Sequence, residues 1–238
     1  MRLDKFLAHV TGYSRTDVKK YLKQKAVSVN GVVVTGASVH IDEGSDTIML
    51  FGEELFYQKY VYLMMNKPAG YLSATKDGQD VTVMSLLDDY YEKFDLSIAG
   101  RLDKDTEGLL LLTNDGNFLH DVISPRKKVY KTYIARIEGE LTLDGIKKLE
   151  TGVEIRDGKD VLFTTAPARV TVVSKEEVKI AIAEGKFHQV RRMFKSVGCT
   201  VVYLKRLSIG NLGLDAHLHL GEYRELSEEE LHEIKKDT

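Results

Sequence analysis

Cysteine is nearly absent from this chain: Cys199 stands alone among 238 residues. One cysteine cannot close an internal disulfide, and it excludes a zinc site assembled from paired cysteines, so a reducing compartment is expected. Long apolar runs are missing too. No stretch approaches the ~20 residues that a bilayer-spanning helix requires, and the start Met1-Arg2-Leu3-Asp4-Lys5 is charged with no apolar segment behind it. The sequence therefore reads as a soluble, unprocessed, cytoplasmic protein with no membrane partner. Neither sign of charge dominates, since 34 basic and 36 acidic residues leave a formal net charge of -2. That balance by itself argues for no nucleic-acid partner. Low-complexity segments, short-period repeats and heptad stripes are absent as well, and the last of these absences predicts a monomer.

What is present is enough apolar residue for a core, and an uneven spread of charge. A hydrophobic content of 43% supports one large domain, or a large one with a small satellite. Residues 1–25 hold Arg2, Lys5, Arg15, Lys19, Lys20, Lys23 and Lys25 against only Asp4 and Asp17. The balancing acid lies in residues 42–54 and in Glu228-Glu229-Glu230, so the chain is electrostatically two-faced.

Local patterns give the organisation. Leu3, Phe6, Leu7 and Val10 form a helical stripe that Gly12 ends. Ser14-Arg15-Thr16-Asp17 has the spacing of an N-cap with an acid three residues on, and the helix it opens turns Lys19, Lys20 and Lys23 outward. Two β-branched runs flank Asn30-Gly31, the strongest short hairpin signal. Periodicity is lost over 53–59, which predicts a linker and two domains, 1–58 and 59–238. Beyond it, strands are expected at 60–65, 109–112, 130–138, 164–174, 178–183 and 201–207, with helices at 143–150 and 189–196. Regular βαβ spacing is missing, so the expected fold is α+β: a small N-terminal α/β domain, then a larger domain on a mixed, mainly antiparallel sheet with flanking helices.

One carboxylate stands out. In Gly100-Arg101-Leu102-Asp103-Lys104-Asp105-Thr106-Glu107-Gly108, Asp103 lies between a glycine turn and an apolar run that must enter the core. Burial and a cationic partner can tune such a group. A second dense cluster, residues 184–194, places Arg191 and Arg192 at the start of a helix, where a basic residue opposes the helix dipole unless an anion is near. A lone arginine pair is by default ordinary surface charge. Tyr133, on a strand, is by default a packing residue. His188 has no evident acid partner and reads as structural or RNA-facing. His217 and His219 share one strand face, but no third ligand follows, so no metal site is expected.

The words GRLDxDTxGLLLLTNDG, GKFHQVRRM and Lys131-Thr132-Tyr133 resemble the RsuA-type pseudouridine synthases, which isomerise uridine in ribosomal RNA. Asn66-Lys67-Pro68-Ala69-Gly70 and the segments 204–212 and 221–226 extend the likeness in family order. Residues 1–50, above all RLDKFLA and VSVNG, resemble the S4 domain, a small RNA-binding module. The resemblance implies that Asp103 is the essential aspartate, that Arg191 pairs with it, and that Tyr133 stacks on the target uracil. It implies phosphate contacts from Arg2, Lys5, Arg15, Lys19 and Lys20, and RNA contacts near the pocket from Lys67, Arg101 and Arg192. The implied partner is ribosomal RNA, closest to the branch acting on position 516 of 16S rRNA, free or in a partly assembled small-subunit particle; sister branches act on 23S rRNA. Isomerisation needs neither oxidant nor group donor, so no cofactor is expected. Two other readings stay open: an RNA-binding assembly factor with the same fold, and a magnesium-dependent phosphotransferase using Asp103 and Asp105.

Overall fold

A computed structural model of the chain describes residues 1–124 and 127–235, divided into two compact units, Met1–Tyr60 and Val61–Thr238. The last three residues of the second expected domain lie outside the described ones.

In the first unit, α1 (Leu3–Thr11) and α2 (Arg15–Lys23) precede four short strands: β1 (Val27–Val29), β2 (Val32–Val33), β3 (Ile48–Leu50) and β4 (Glu53–Leu55). Gly12 closes α1 in the left-handed conformation, φ 74°, donating its N–H to the Ala8 carbonyl. Ser14 caps α2 by accepting the Asp17 N–H. Asn30 and Gly31 both take positive φ and join β1 to β2, with Val29 opposite Val32. The helices bury Leu3, Phe6, Leu7, Val18 and Leu22 against Val27, Ile48 and Leu50. The expected linker at 53–59 is corrected at its start, because residues 53–55 form β4 and pair with β3. Their turn is Phe51-Gly52, again with two positive φ values. Phenylalanine in that position carries none of the Asn or Asp signal that announces such turns.

The second unit is built in chain order from β5 (Tyr62–Lys67), β6 (Ser97–Ala99), β7 (Glu107–Thr113), α3 (Gly116–Ile123), β8 (Lys131–Glu138), α4 (Leu143–Thr151), β9 (Glu154–Arg156), β10 (Leu162–Thr164), β11 (Arg169–Val172), β12 (Glu177–Ile182), α5 (Gln189–Ser196), β13 (Thr200–Ile209), β14 (Leu212–Gly213), β15 (Tyr223–Glu225) and α6 (Glu228–Lys235). Nine strands make one sheet in the order β11-β12-β8-β13-β7-β5-β15, with β14 added to β13 and β6 to β7; β9 and β10 pair separately. Only the β13/β7 contact is parallel among these described pairs, so the sheet is mixed and mainly antiparallel in an α+β fold. The single strand expected over 164–174 is two, β10 and β11, because Pro167 between them cannot donate to a ladder.

The leucine run of β7 shows why it is apolar at every position. Leu109 and Leu111 join the cluster of Met64, Phe118, Val122 and Ile234, whereas Leu110 and Leu112 belong to the cluster of Leu63, Met65, Met193 and Phe194 on the opposite side. Helices cover both faces, and a strand buried on both faces loses the polar alternation of a half-exposed one.

The sheet divides along one edge of β7. Glu107 and Gly108 pair with β13, then residues 111–113 pair with β6. In the gap, Arg206 of β13, 1% exposed, donates from Nε to the Leu109 carbonyl at 2.7 Å and from Nη2 to the Gly100 carbonyl at 2.6 Å. Gly108 has φ +101°, and a Cβ there would lie 2.2 Å from the Arg206 carbonyl oxygen. Glycine is what permits the parallel approach. The chain between the diverging strands, residues 100–106, is the segment that carries Asp103.

Candidate active site

Three side chains, from β5, from β13 and from the segment after β5, fix the backbone of this loop. Arg206 holds Gly100. Ser73 accepts the Leu102 N–H at 3.1 Å and donates its hydroxyl to the Leu102 carbonyl at 2.8 Å. Lys67, 0% exposed at the end of β5, donates from Nζ to the carbonyls of Pro68, Asp103, Lys104 and Thr106 at 2.9–3.3 Å. Each buried carbonyl left without a donor costs about 1–3 kcal/mol, so these contacts restrict the loop to one path. β5 runs two residues further than the sequence pattern indicates because its polar end, Asn66 and Lys67, is buried and hydrogen-bonded. Burial pushes Lys67 down to about 8 against the pull of the Asp105, Asp103 and Glu107 carboxylates. Lys67 is therefore corrected from an RNA contact to an internal one, since its ammonium reaches four carbonyls and no solvent.

So held, the Asp103 side chain is 25% exposed in a recess of about 50 Å³. Leu102, Thr106, Tyr133, His188 and Leu204 help to line it. Burial raises the Asp103 carboxyl above its ordinary range; His188, Arg191 and Lys67 pull the other way and Asp105 adds to the rise. Tyr133, 7% exposed, comes from β8 and packs its inner side into the core. The structure thus brings Asp103 and Tyr133 to one recess, although 30 residues separate them in the chain.

Arg191 does not reach Asp103 as the sequence reading expects. Its Nη2 lies 2.8 Å from the Asp105 carboxylate, and Nη1 donates to the Val201 carbonyl at 2.9 Å. Anchored on β13, the guanidinium meets the carboxylate on the outer side of the loop. Among the described residues the cation-forming group paired with the Asp103 carboxylate is His188, with Nε2 3.6 Å from Oδ1, and this overturns the expectation that His188 has no acid partner. His188 takes a left-handed conformation, φ 51°, just before α5 and stacks on Phe187. Gln189 fixes the same turn, accepting the Lys186 N–H and donating to Glu184.

The remaining expected residues fall in three settings. Arg101 is exposed at the rim of the Asp103 recess. Arg192 donates from Nη1 to the carbonyls of Arg156 and Asp157, so part of its hydrogen-bonding capacity is spent within the protein. In the first unit Lys5, Arg15, Lys19 and Lys20 are exposed, while Arg2 is paired with Asp4 at 2.7 Å. Ser73 and the buried role of Arg206 are missed by the sequence reading. A serine 29 residues before its partner leaves no local trace, and an arginine in Leu204-Lys205-Arg206-Leu207 looks like surface charge.

A sequence model of the RNA pseudouridylate synthases matches residues 61–196, and one of the S4 domain matches residues 1–48. The chain belongs to the RNA pseudouridylate synthase family. It is 46% identical over 98% of its length to an RNA pseudouridine synthase of Bacillus subtilis, YtzG, whose name marks it as uncharacterized, covering 97% of that protein. It is 40% identical to the ribosomal small subunit pseudouridine synthase A of Escherichia coli K12, covering 97% of this chain and 98% of the other. A crystal structure of a pseudouridylate synthase superposes with a TM-score of 0.68 at 36% identity, over 98% of this chain and 99% of that one. The enzyme is thus an isomerase of the pseudouridine synthase family with an S4 domain, and its partner is RNA. Among the described residues no helix is long and apolar enough to cross a membrane.

Proposed function

We propose that this synthase converts one uridine of 16S ribosomal RNA, the position 516 target, to pseudouridine with Asp103 as the essential carboxylate. The observation that carries the reading is a desolvated carboxylate on a loop pinned at three places, beside the ring of Tyr133. Full-length similarity to enzymes named for the small ribosomal subunit supports the substrate.

The reaction breaks the N1–C1′ bond, turns the uracil and joins C5 to C1′; the proton lost at C5 is balanced by one gained at N1. A poorly solvated carboxylate is reactive as nucleophile and as base, and the field of Lys67, Arg191 and His188 opposes its protonation. Extruding the uridine from a folded RNA costs a few kcal/mol, and stacking on Tyr133, at about 1–3 kcal/mol, offsets much of that. Arg191 acts on Asp103 through space from its pair with Asp105. Arg101 at the rim and Lys5, Arg15, Lys19 and Lys20 on the S4 unit supply phosphate contacts that position the RNA, with smaller contributions from Arg2, whose charge is paired with Asp4, and from Arg192, part of whose donor set is taken by carbonyls.

The deciding experiment incubates purified protein, without metal or nucleotide, with unmodified 16S and 23S rRNA, free and partly assembled. Pseudouridine is mapped by carbodiimide labelling and primer extension. A single new stop in 16S that Asp103→Asn eliminates is the expected result. A stop confined to 23S refutes the substrate, and no stop in any RNA despite tight binding points to an assembly factor.

A further inference from the structure

A second cavity, of about 400 Å³, lies beside the Asp103 recess and shares Arg101, Tyr133, Gly185 and Lys186 with it. Its own lining includes Ile98, Ile123, Lys131 and Arg206. Lys131 is two residues before Tyr133 on β8, so strand alternation puts both on one face. Arg206 on β13 is directly opposite Tyr133 and diagonal to Lys131.

Two features of this cavity have no internal explanation. Lys131 is only 6% exposed, yet its ammonium makes no hydrogen bond or ion pair among the described residues, the backbone alone being paired in the sheet. Arg206 spends Nε and Nη2 on carbonyls and leaves Nη1, which lies beside Gly100, without a partner among the described residues. Buried cations that face each other without a counter-ion are costly. Burial and Arg206 push Lys131 down to about 8, the direction that an unpaired site dictates. Among the described residues Glu184 is the one carboxylate in the lining, and it is taken up by Gln189 and the Ala166 N–H. Arg101 and Lys186 add two further positive charges at the walls. Cations at the floor with isoleucine and tyrosine at the sides match an anion attached to a flat or apolar body.

We propose that this cavity is a subsite for the nucleotide adjacent to the target uridine, with its phosphodiester bound by Lys131 and Arg206 Nη1 and its sugar and base against Ile98 and Ile123. The assignment rests on the pseudouridine synthase reading above and extends it from the reacting base to its neighbour. The subsite is within one nucleotide of Asp103, since Tyr133 and Arg101 are common walls. It would recognise the course of the RNA backbone, not the identity of the target base.

The test uses the full-length protein and the RNA that the wild type modifies, with a neutral methylphosphonate placed singly at each of the three phosphodiesters nearest the target. One of these positions is expected to lower wild-type kcat/KM roughly ten- to hundredfold, the range of a charge-assisted hydrogen bond. Lys131→Met should show the same loss on unmodified RNA and less than about a threefold further loss at that methylphosphonate, because both changes remove one contact. Lys131→Arg should recover most of the activity. A Lys131→Met enzyme with wild-type kcat/KM, or equal tolerance of all three methylphosphonates by the wild type, overturns the subsite. The methylphosphonate series needs only the wild-type protein and so stands if Lys131→Met folds poorly. Failure of the wild type to make pseudouridine in any RNA instead sinks the parent reading, and the subsite with it.

Discussion

Replacing Arg206 by methionine tests whether the split in the sheet is held by one side chain. Arg206 is 1% exposed and bridges carbonyls on two chain segments, Leu109 on β7 and Gly100 at the mouth of the Asp103 loop. Methionine has similar reach and spares the cost of burying a guanidinium. It leaves both carbonyls without a donor, at about 1–3 kcal/mol each, so a net loss of roughly 2–4 kcal/mol is expected. Urea unfolding followed by circular dichroism reads this directly, as a lower midpoint at constant slope. Turnover should fall more than stability alone explains, because Gly100 anchors the loop on which Asp103 is presented. The conservative change Arg206→Lys keeps a cation whose single nitrogen can serve one of the two carbonyls and should recover about half of the lost stability. A methionine variant within about 0.5 kcal/mol of the wild type, with normal turnover, would refute the idea that this contact closes the gap.

Asp103→Asn should abolish isomerisation while leaving the protein as stable as the wild type or about 0.5–2 kcal/mol more so, because burial opposes the ionised carboxylate; a clear loss in thermal stability would contradict this. Lys67 and Lys131 titrate near 8, below the 10.5 of a free lysine, so both are charged below pH 8 and neutral well above it. Activity should therefore decline above pH 8. Over the same interval these two groups should add stability, since the folded chain binds fewer protons than the unfolded one and the penalty for burying charge is relieved; parallel pH series of kcat/KM and of urea midpoints check both signs. Removing Lys19 and Lys20 together should flatten the salt dependence of RNA binding by about 0.7–0.9 per lost phosphate contact, measured by filter binding from about 50 to 200 mM salt, and an unchanged slope would exclude both as contacts. Gly108→Ala should cost at least about 3 kcal/mol from backbone overlap and left-handed strain together, and wild-type stability would show that the parallel β7/β13 approach is not the reason for glycine there.

Where sequence marks a structure locally, the expectation and the fold agree. The Asn30-Gly31 hairpin, the Ser14 cap, the Gly12 stop and the helix over residues 189–196 all depend on contacts within a few residues of the signal. The Phe51-Gly52 turn, the break at Pro167 and the polar end of β5 mislead for separate reasons. The first has positive φ without the usual residues, the second lies between two segments of good strand formers that read as one, and the third buries a lysine whose needs are met by distant carbonyls.

The site divides in the same way. Asp103 is conspicuous because a carboxylate next to an obligatory core strand is already an anomaly in one dimension. Its partners are not conspicuous, since they are fixed by the path of the chain in space. Arg191 and His188 sit in one short segment, three residues apart, and spacing alone cannot say which of them turns toward Asp103. The structure assigns them by anchoring: the Val201 carbonyl draws Arg191 toward Asp105, while the left-handed turn before α5 leaves His188 on the Asp103 side. Swapping the character of the two positions should consequently have unequal effects. Arg191→Met removes a pair on the outer side of the loop and reaches Asp103 only through the field. His188→Gln removes the group 3.6 Å away and should shift the acid limb of the pH profile the more strongly. Equal shifts would mean that the field at Asp103, and not proximity, sets its ionisation.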